Sequence, residues 1–514
     1  MKRPTLIHQF LENSCELAPE KGAALFLNKW TKYQDIELRS NRLSNYLRRI
    51  GVKKQDRVAV LIENSIEYII SLFAILKVGA VVVPLHADIK AANFAYILLH
   101  AEAKVVISKI SYAKTLVPAI KEARCVSHLL LDAVNEEMRN SLVGQSVTGL
   151  NEILESEEGT LTRSRIIDID LAEIVYTSGS TGKPKGVMLT HLNLVSNMHS
   201  IVDYLNIGED DRIMCILPFS YIYGQSLLLT HFLVAGSVII DNRFLFPNTV
   251  LQTMIDQEAT GFAGVPSTFS ILLTRSAVRQ FKFPLLRYVT QAGGGMAPDI
   301  QKEVAAVFAP AKLFVMYGAT EASPRLSYLD PAMLPTKLGS IGKPIPNVEL
   351  FVADENGNAL PCGVEGEIVA RGSNIMIGYW KDPEASRIAL RKGLYFTGDL
   401  GVIDEEGYFF VIGRKKEIIK VKGHRISPKE IEEKLLGMSE ITEASVIGIE
   451  DPILGEAIKA FVVLKKPGST TEKEIMCAVN IDTPVYKQIK YVSCVETLPK
   501  NSAGKIDKNV LKNL

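Results

Sequence analysis

The sequence has no excess of charge of either sign: 58 Lys and Arg stand against 57 Asp and Glu over 514 residues. So balanced a chain offers no broad basic field for a nucleic-acid backbone, and any phosphate recognition must be local, by a small phosphorylated ligand. Cysteine is scarce and scattered. Cys15, Cys125, Cys215, Cys362, Cys477 and Cys494 form no Cys-x-x-Cys pair, which excludes a zinc pattern or a dense disulfide framework and predicts reduced thiols. Long apolar runs are missing too. The longest, Tyr68 to Leu85, is broken by Lys77, Gly79 and Pro84, as in a buried helix running into a strand rather than a membrane span. No apolar leader separates Met1-Lys2-Arg3-Pro4 from Glu12, Glu16 and Glu20, so secretion is not expected and the expected location is cytoplasmic.

What is present is a large, ordinary apolar complement, in a chain longer than one hydrophobic core usually organises, so at least two domains are expected. Strand-like runs alternate with amphipathic segments: Arg57 to Leu61, a helical stretch near Tyr68–Lys77, then Ala80 to Pro84, Val105 to Ile107, Arg212 to Leu217 and Ser237 to Ile240. That alternation predicts α/β subdomains with parallel sheets covered by helices. From about residue 340 the texture changes to short strands spaced by glycine, such as Gly366 to Ala370, which reads as a β-rich subdomain. A separate α/β pattern of domain size follows Gly413-Arg414-Lys415-Lys416-Glu417. The expected architecture is a large N-terminal domain over 1–415, of two α/β subdomains plus a β-rich one, and a small mobile α/β lid over 416–514.

The strongest chemical signal is Tyr176-Thr177-Ser178-Gly179-Ser180-Thr181-Gly182-Lys183-Pro184-Lys185-Gly186. Its glycines let backbone approach a ligand closely, and its hydroxyls and lysines donate to phosphate oxygens. The spacing is not that of a Walker A loop, because proline follows Lys183 where a Ser or Thr would hold magnesium and open a helix. This segment resembles the signature loop of the adenylate-forming superfamily, which includes acyl-CoA synthetases, luciferases and peptide-synthetase adenylation domains.

The resemblance extends along nearly the whole chain. In Tyr317-Gly318-Ala319-Thr320-Glu321 it implies a ring against adenine at Tyr317, Thr320 on the α-phosphate and Glu321 on Mg²⁺, a hard cation that favours carboxylate and phosphate oxygens; Thr181 would be a second metal contact. Gly294 and Gly295 would flank the adenine. In Tyr395-Phe396-Thr397-Gly398-Asp399 it implies that Asp399 accepts from both ribose hydroxyls, with Arg414 adding a nucleotide contact. Leu498-Pro499-Lys500-Asn501-Ser502-Ala503-Gly504-Lys505-Ile506 resembles the loop carrying the adenylation lysine, here Lys505. An ammonium held at the charge developing on the α-phosphate would supply electrostatic stabilisation. Lys416 matches the family's hinge, Gly423 the loop that shapes the thiol tunnel, and Arg425 would face nucleotide or coenzyme phosphates.

For the acyl pocket, the resemblance implies Tyr221, Tyr223 and Gly224 in Leu217-Pro218-Phe219-Ser220-Tyr221-Ile222-Tyr223-Gly224, the floor residue Val265, and Gly293 and Met296 in Gln291-Ala292-Gly293-Gly294-Gly295-Met296. Tyr221 departs from the commoner histidine but keeps a ring and a hydroxyl. No acidic residue lies between Phe219 and Gln225 to pair with a substrate ammonium, so amino acids are disfavoured, and the glycines leave room for a bulky or long acyl group. The implied reaction is Mg·ATP-dependent activation of a carboxylic acid, a medium- or long-chain fatty or other apolar monocarboxylic acid, to an acyl-adenylate, then transfer to coenzyme A. Because the chain ends at the lid with no fused carrier domain, coenzyme A is the expected acceptor, and the phosphopantetheine arm of a separate acyl carrier protein is the alternative. A non-catalytic nucleotide-binding regulator is disfavoured, since Glu321, Asp399, Arg414 and Lys505 are all present.

Overall fold

In the computed structural model, which describes residues 3–177, 183–421, 424–451, 454–481, 483–500 and 506–513, the apolar runs become the middles of two large sheets. The first sheet has eight strands. Arg57–Leu61 lies at its centre, parallel to Val81–Pro84 and Ala103–Ser108; His128–Leu131 and Ser146–Gly149 continue one side, Leu171–Thr177 the other. An antiparallel hairpin then adds Lys185–Thr190, and Gly378–Tyr379 closes that edge from far along the chain. The second sheet has nine strands and a parallel centre of Ser237–Ile240, Arg212–Cys215, Gly261–Gly264, Tyr288–Gln291 and Lys312–Gly318.

Helices fill the space between these sheets, and their sequences show why. Helix Ile66–Val78 is apolar all round and buries every residue except Glu67, as expected of a helix covered on all sides. The Ser65 side chain caps its start by accepting from the Tyr68 N–H, and Gly79, at φ +82, ends it in the left-handed conformation. Its one buried charge is satisfied: Lys77 Nζ lies 2.7 Å from Glu37 Oε2, Ser40 Oγ and Asn41 Oδ1. Helix Ile222–Leu233 is likewise buried along its whole length. One apolar cluster joins the sheets across these helices, including Val60, Leu76, Phe232 and Val238, each worth about 1.5–3 kcal/mol of burial.

A third, antiparallel sheet is built from Val348–Ala353, Gly366–Gly372, Leu394–Ile403 and Phe409–Arg414, with Leu390–Arg391 at its edge. The chain leaves it at Arg414, turns through 415–417 and enters a fourth sheet at Ile419–Val421. There the long hairpin Ile441–Asp451 and Gly455–Leu464 pairs with Tyr491–Cys494, and helices Pro428–Leu436 and Glu472–Asn480 pack over a small core of their own. The whole is a mixed α/β architecture with a large N-terminal and a small C-terminal domain. No helix among the described residues is long and apolar enough to cross a membrane.

Candidate active site

The parallel strands Tyr288–Gln291 and Lys312–Gly318 deliver the glycine loop 292–297 and the Tyr317 segment from their C-terminal ends, where open α/β sheets place ligands. These loops line a cavity of about 420 Å³ whose other wall is the small domain. Gly293, Gly294, Gly295, Met296, Val265, Tyr317, Gly318, Asp399 and Arg414 face it from the large domain, and Lys429, Glu432, Lys500, Ile506 and Lys508 from the small one. Glycine at 318 is a packing requirement: a Cβ there would fall 1.8 Å from the Pro324 carbonyl oxygen.

Asp399 and Arg414 are fifteen residues apart but directly opposite in the antiparallel pair Leu394–Ile403 and Phe409–Arg414. Register therefore makes the ion pair, with Arg414 Nε 2.7 Å from Asp399 Oδ1. The buried Asp399 also accepts from the Tyr317 hydroxyl through Oδ2 at 2.6 Å. The Asp399 carboxylate raises the Arg414 guanidinium above its usual range, so the guanidinium stays charged. Burial, then the Asp399 charge, pushes the Tyr317 phenol far up, so it remains a donor. Each carboxylate oxygen can accept more than one hydrogen bond, so this carboxylate keeps capacity for a vicinal diol.

Thr320 and Glu321 sit in the tight turn Thr320–Ala322 that follows strand Lys312–Gly318. Glu321 Oε1 accepts from the Tyr379 hydroxyl at 2.8 Å. Lys185 opens the strand opposite Thr177, with its ammonium 5.3 Å from the Tyr379 ring centroid and 3.7 Å from Asp382 Oδ2. Lys183 is exposed, 5.9 Å from the Tyr96 ring centroid. An oriented carboxylate that shares a tyrosine with Lys185 fits Mg²⁺ arriving on a triphosphate, since this cation is usually held by one or two carboxylates plus substrate phosphates and water.

Ser178, Gly179, Ser180, Thr181, Gly182, Gly423 and Lys505 lie outside the described residues, as does the side chain of Arg425. Lys500 and Ile506, on either side of the Lys505 segment, both line the cavity. Lys416 is exposed in the turn between the third and fourth sheets. Around it, the Ser427 hydroxyl donates to the Ile412 carbonyl at 2.5 Å, Lys429 to the Val411 carbonyl at 2.7 Å, and Lys508 pairs with Glu417 and Glu432 at 2.9 Å.

The acyl-pocket candidates divide. Val265, Gly293 and Met296 line the cavity, whereas Tyr221, Tyr223 and Gly224 are not on its wall. Tyr223 is fully buried, its hydroxyl bonded to Thr290 Oγ1 at 2.8 Å. Gly224 is required by packing, because a Cβ would lie 2.1 Å from the Pro218 carbonyl oxygen. Tyr221 precedes helix Ile222–Leu233 with its ring 6.4 Å from that of Tyr223. Its segment is held from the first sheet's side: Asn64 donates to the Leu217 carbonyl at 2.8 Å and accepts from the Phe219 N–H, and the Tyr68 hydroxyl donates to the Phe219 carbonyl. Sequence reading misses Asn64 and Tyr379 because neither lies in a chemical motif; each reaches the site only through strand order.

Two family models match the chain, the AMP-binding enzyme model over residues 11–380 and the AMP-binding enzyme C-terminal domain model over 430–505. Among curated proteins it is 31% identical to 4-coumarate-CoA ligase 1 of Narcissus pseudonarcissus, over 98% of this chain and 91% of that one. It is 29% identical to a long-chain-fatty-acid–CoA ligase of Bacillus subtilis (strain 168), over 97% of this chain and 93% of that one. The crystal structure of ATP-bound MatB from Rhodopseudomonas palustris superposes with a TM-score of 0.88 at 28% identity, covering 99% of this chain and 98% of that one. The chain therefore belongs to the AMP-binding, adenylate-forming enzyme family. It is an AMP-forming acid–thiol ligase of the acyl-CoA synthetase type, in a family whose enzymes use ATP with Mg²⁺ and coenzyme A.

Proposed function

We propose that the acid activated is an apolar monocarboxylic acid, a medium- or long-chain fatty acid or an aryl acid, and that the acceptor is coenzyme A itself rather than a carrier-bound pantetheine. The observation that carries the adenylating half of the reading is the meeting of two groups: Asp399, Tyr317 and Arg414 lining one cavity, and Glu321, in the turn after the Tyr317 strand, joined through Tyr379 to Lys185 at the start of its own strand. The lack of an acidic side chain from Phe219 to Gln225 supports an acid without an ammonium group. Relatives named for 4-coumarate and for long-chain fatty acids are in keeping with that chemistry. The six cysteines are all free, which supports a reducing, cytoplasmic setting.

In this reading an oxygen of the substrate carboxylate attacks the ATP α-phosphorus in line; the new O–P bond forms as the bond to the bridging oxygen breaks and pyrophosphate leaves. Thr181, Lys183 and Lys185 hold the departing phosphates, Thr320 and Lys505 the reacting one, and Asp399 and Arg414 fix the ribose so that the attack is intramolecular in effect. Mg²⁺, bound through Glu321, would neutralise charge on the phosphate oxygens. The small domain then turns about Lys416, bringing the Gly423 loop and Arg425 to the site. The thiol sulfur attacks the acyl carbonyl, and AMP leaves with the carbonyl–oxygen bond electrons.

Hydroxamate-trapped adenylation across short, medium, long, aryl and amino acids, repeated with coenzyme A and with a phosphopantetheinylated carrier protein, tests the reading. Apolar monocarboxylates with coenzyme A are expected to give the highest turnover. Faster adenylation of amino acids, or transfer to the carrier only, would overturn it.

A further inference from the structure

The two-residue strand Gly378–Tyr379 joins the first sheet against Lys185–Thr190, with Gly378 opposite Met188 and Tyr379 opposite Val187. The Trp380 N–H donates to the Gly186 carbonyl at 2.7 Å and the Ile377 N–H to the Met188 carbonyl at 3.2 Å, so this strand is fixed beside the base of the phosphate hairpin. From there the Tyr379 side chain meets two charged groups that arrive from different elements. Its hydroxyl donates to Glu321 Oε1 at 2.8 Å, and its ring face lies 5.3 Å from the ammonium of Lys185. The same strand segment holds the Glu321 backbone, since the Met376 N–H donates to the Glu321 carbonyl at 2.8 Å.

We infer that Tyr379 is a positioning residue for the adenylation site: its hydroxyl orients the Glu321 carboxylate toward a Mg²⁺-bound triphosphate, and its ring seats Lys185 for the same phosphates. The inference rests on the reading of Glu321 and Lys185 given above. A glutamate in a short turn has several rotamers, whereas Mg²⁺ tolerates little departure from octahedral geometry. With Oε1 committed to a phenol, the carboxylate plane is set before the nucleotide binds, which is how groups behind a metal ligand tune its affinity. Lys185 is seated in the same way, its ammonium lying between the ring face and Asp382 Oδ2. One side chain thus couples the metal carboxylate to a phosphate lysine.

The test compares binding of ATP by titration calorimetry in excess Mg²⁺ and in EDTA, with no acid present, for the parent, Tyr379→Phe, Tyr379→Leu and Glu321→Gln. Tyr379→Phe keeps the ring and loses the hydroxyl. It is expected to weaken Mg·ATP binding by about 10-fold, the low end of the usual range for losing a hydrogen bond behind a metal ligand, and to leave binding in EDTA unchanged. Tyr379→Leu, which also loses the ring, is expected to weaken both. A circular dichroism spectrum and melting temperature like the parent's report that Tyr379→Phe is folded. If Tyr379→Phe binds Mg·ATP like the parent while Glu321→Gln loses the Mg²⁺-dependent gain, the positioning role falls and the metal carboxylate stands. Equal loss by Tyr379→Phe with and without Mg²⁺ marks a merely structural role and overturns the inference. If Glu321→Gln keeps the full Mg²⁺-dependent gain, the reading of that carboxylate falls and the inference with it.

Discussion

Glu173 is a residue whose chemistry the fold alters strongly. It sits in the strand that leads to the phosphate loop, with no solvent exposure, and Oε1 accepts from Gln225 Nε2 at 2.6 Å while Oε2 has no hydrogen-bond partner. Burial raises its pKa from 4.5 to about 8, so the carboxyl is mostly neutral at neutral pH. A folded-state pKa above the unfolded one means that the unfolded chain loses this proton first as pH rises. The associated stability is complete below about pH 4.5 and declines up to about pH 8. Glu173→Gln removes the titration and keeps the acceptor for Gln225. Its melting temperature relative to the parent should therefore rise steadily from about pH 5 to about pH 8. Parallel melting curves for the two proteins across that window would show that Glu173 does not titrate between them.

At the scale of elements, helix Ile222–Leu233 shows how packing fixes a site from a distance. It is buried at every position, and its first turn is pressed against Leu217 and Pro218 so closely that only glycine fits at 224. Gly224→Ala would drive a methyl group into two backbone carbonyls, that of Leu217 held by Asn64 and that of Pro218 next to Phe219, whose carbonyl Tyr68 holds, a cost of about 1–3 kcal/mol. The expected outcome is a lower unfolding temperature. Gly295→Ala is the matched control, because its Cβ would meet only Lys429 Cε at an ordinary 3.7 Å, and its melting should be that of the parent. Equal melting of Gly224→Ala and the parent would mean that the turn at Pro218 yields cheaply.

For the whole molecule, the arrangement that matters is that of the large domain and the small one. Described contacts near the turn at 415–417 include the Ser427 and Lys429 hydrogen bonds to the third sheet and the Lys508–Glu417 ion pair. The Lys500 and Ile506 ends of the terminal loop line the shared cavity. In the proposed reading, a cavity lined by both ends of the terminal loop corresponds to the orientation for the first half-reaction. Lys416→Pro fixes φ near −65° and removes a backbone donor, so it restricts rotation at the proposed pivot without touching the chemistry. Assayed separately, with acid plus ATP and with acyl-adenylate plus coenzyme A, the two half-reactions should diverge, the second being lost much more than the first. Near-normal rates in both would place the pivot elsewhere.

The sequence by itself determined the alternation of strand and helix, because period and chain composition act locally, and it marked the candidate site segments from Thr177 to Lys185, from Tyr317 to Glu321 and around Asp399, because glycine, hydroxyl and charge cluster there within a few residues. It also marked Arg414, but not why Arg414 matters: the pairing with Asp399 is a fact of antiparallel register. Tertiary structure alone decided that Tyr379 reaches Glu321, that Asn64 and Tyr68 hold the Tyr221 segment, and that Tyr223 and Gly224 pack rather than line the cavity. Such contacts join residues 58 to 155 positions apart, through strands added to a sheet edge and a helix shared by two sheets. Nothing in the local sequence encodes which distant strand becomes a neighbour, since that choice follows from burying both sheet faces at once.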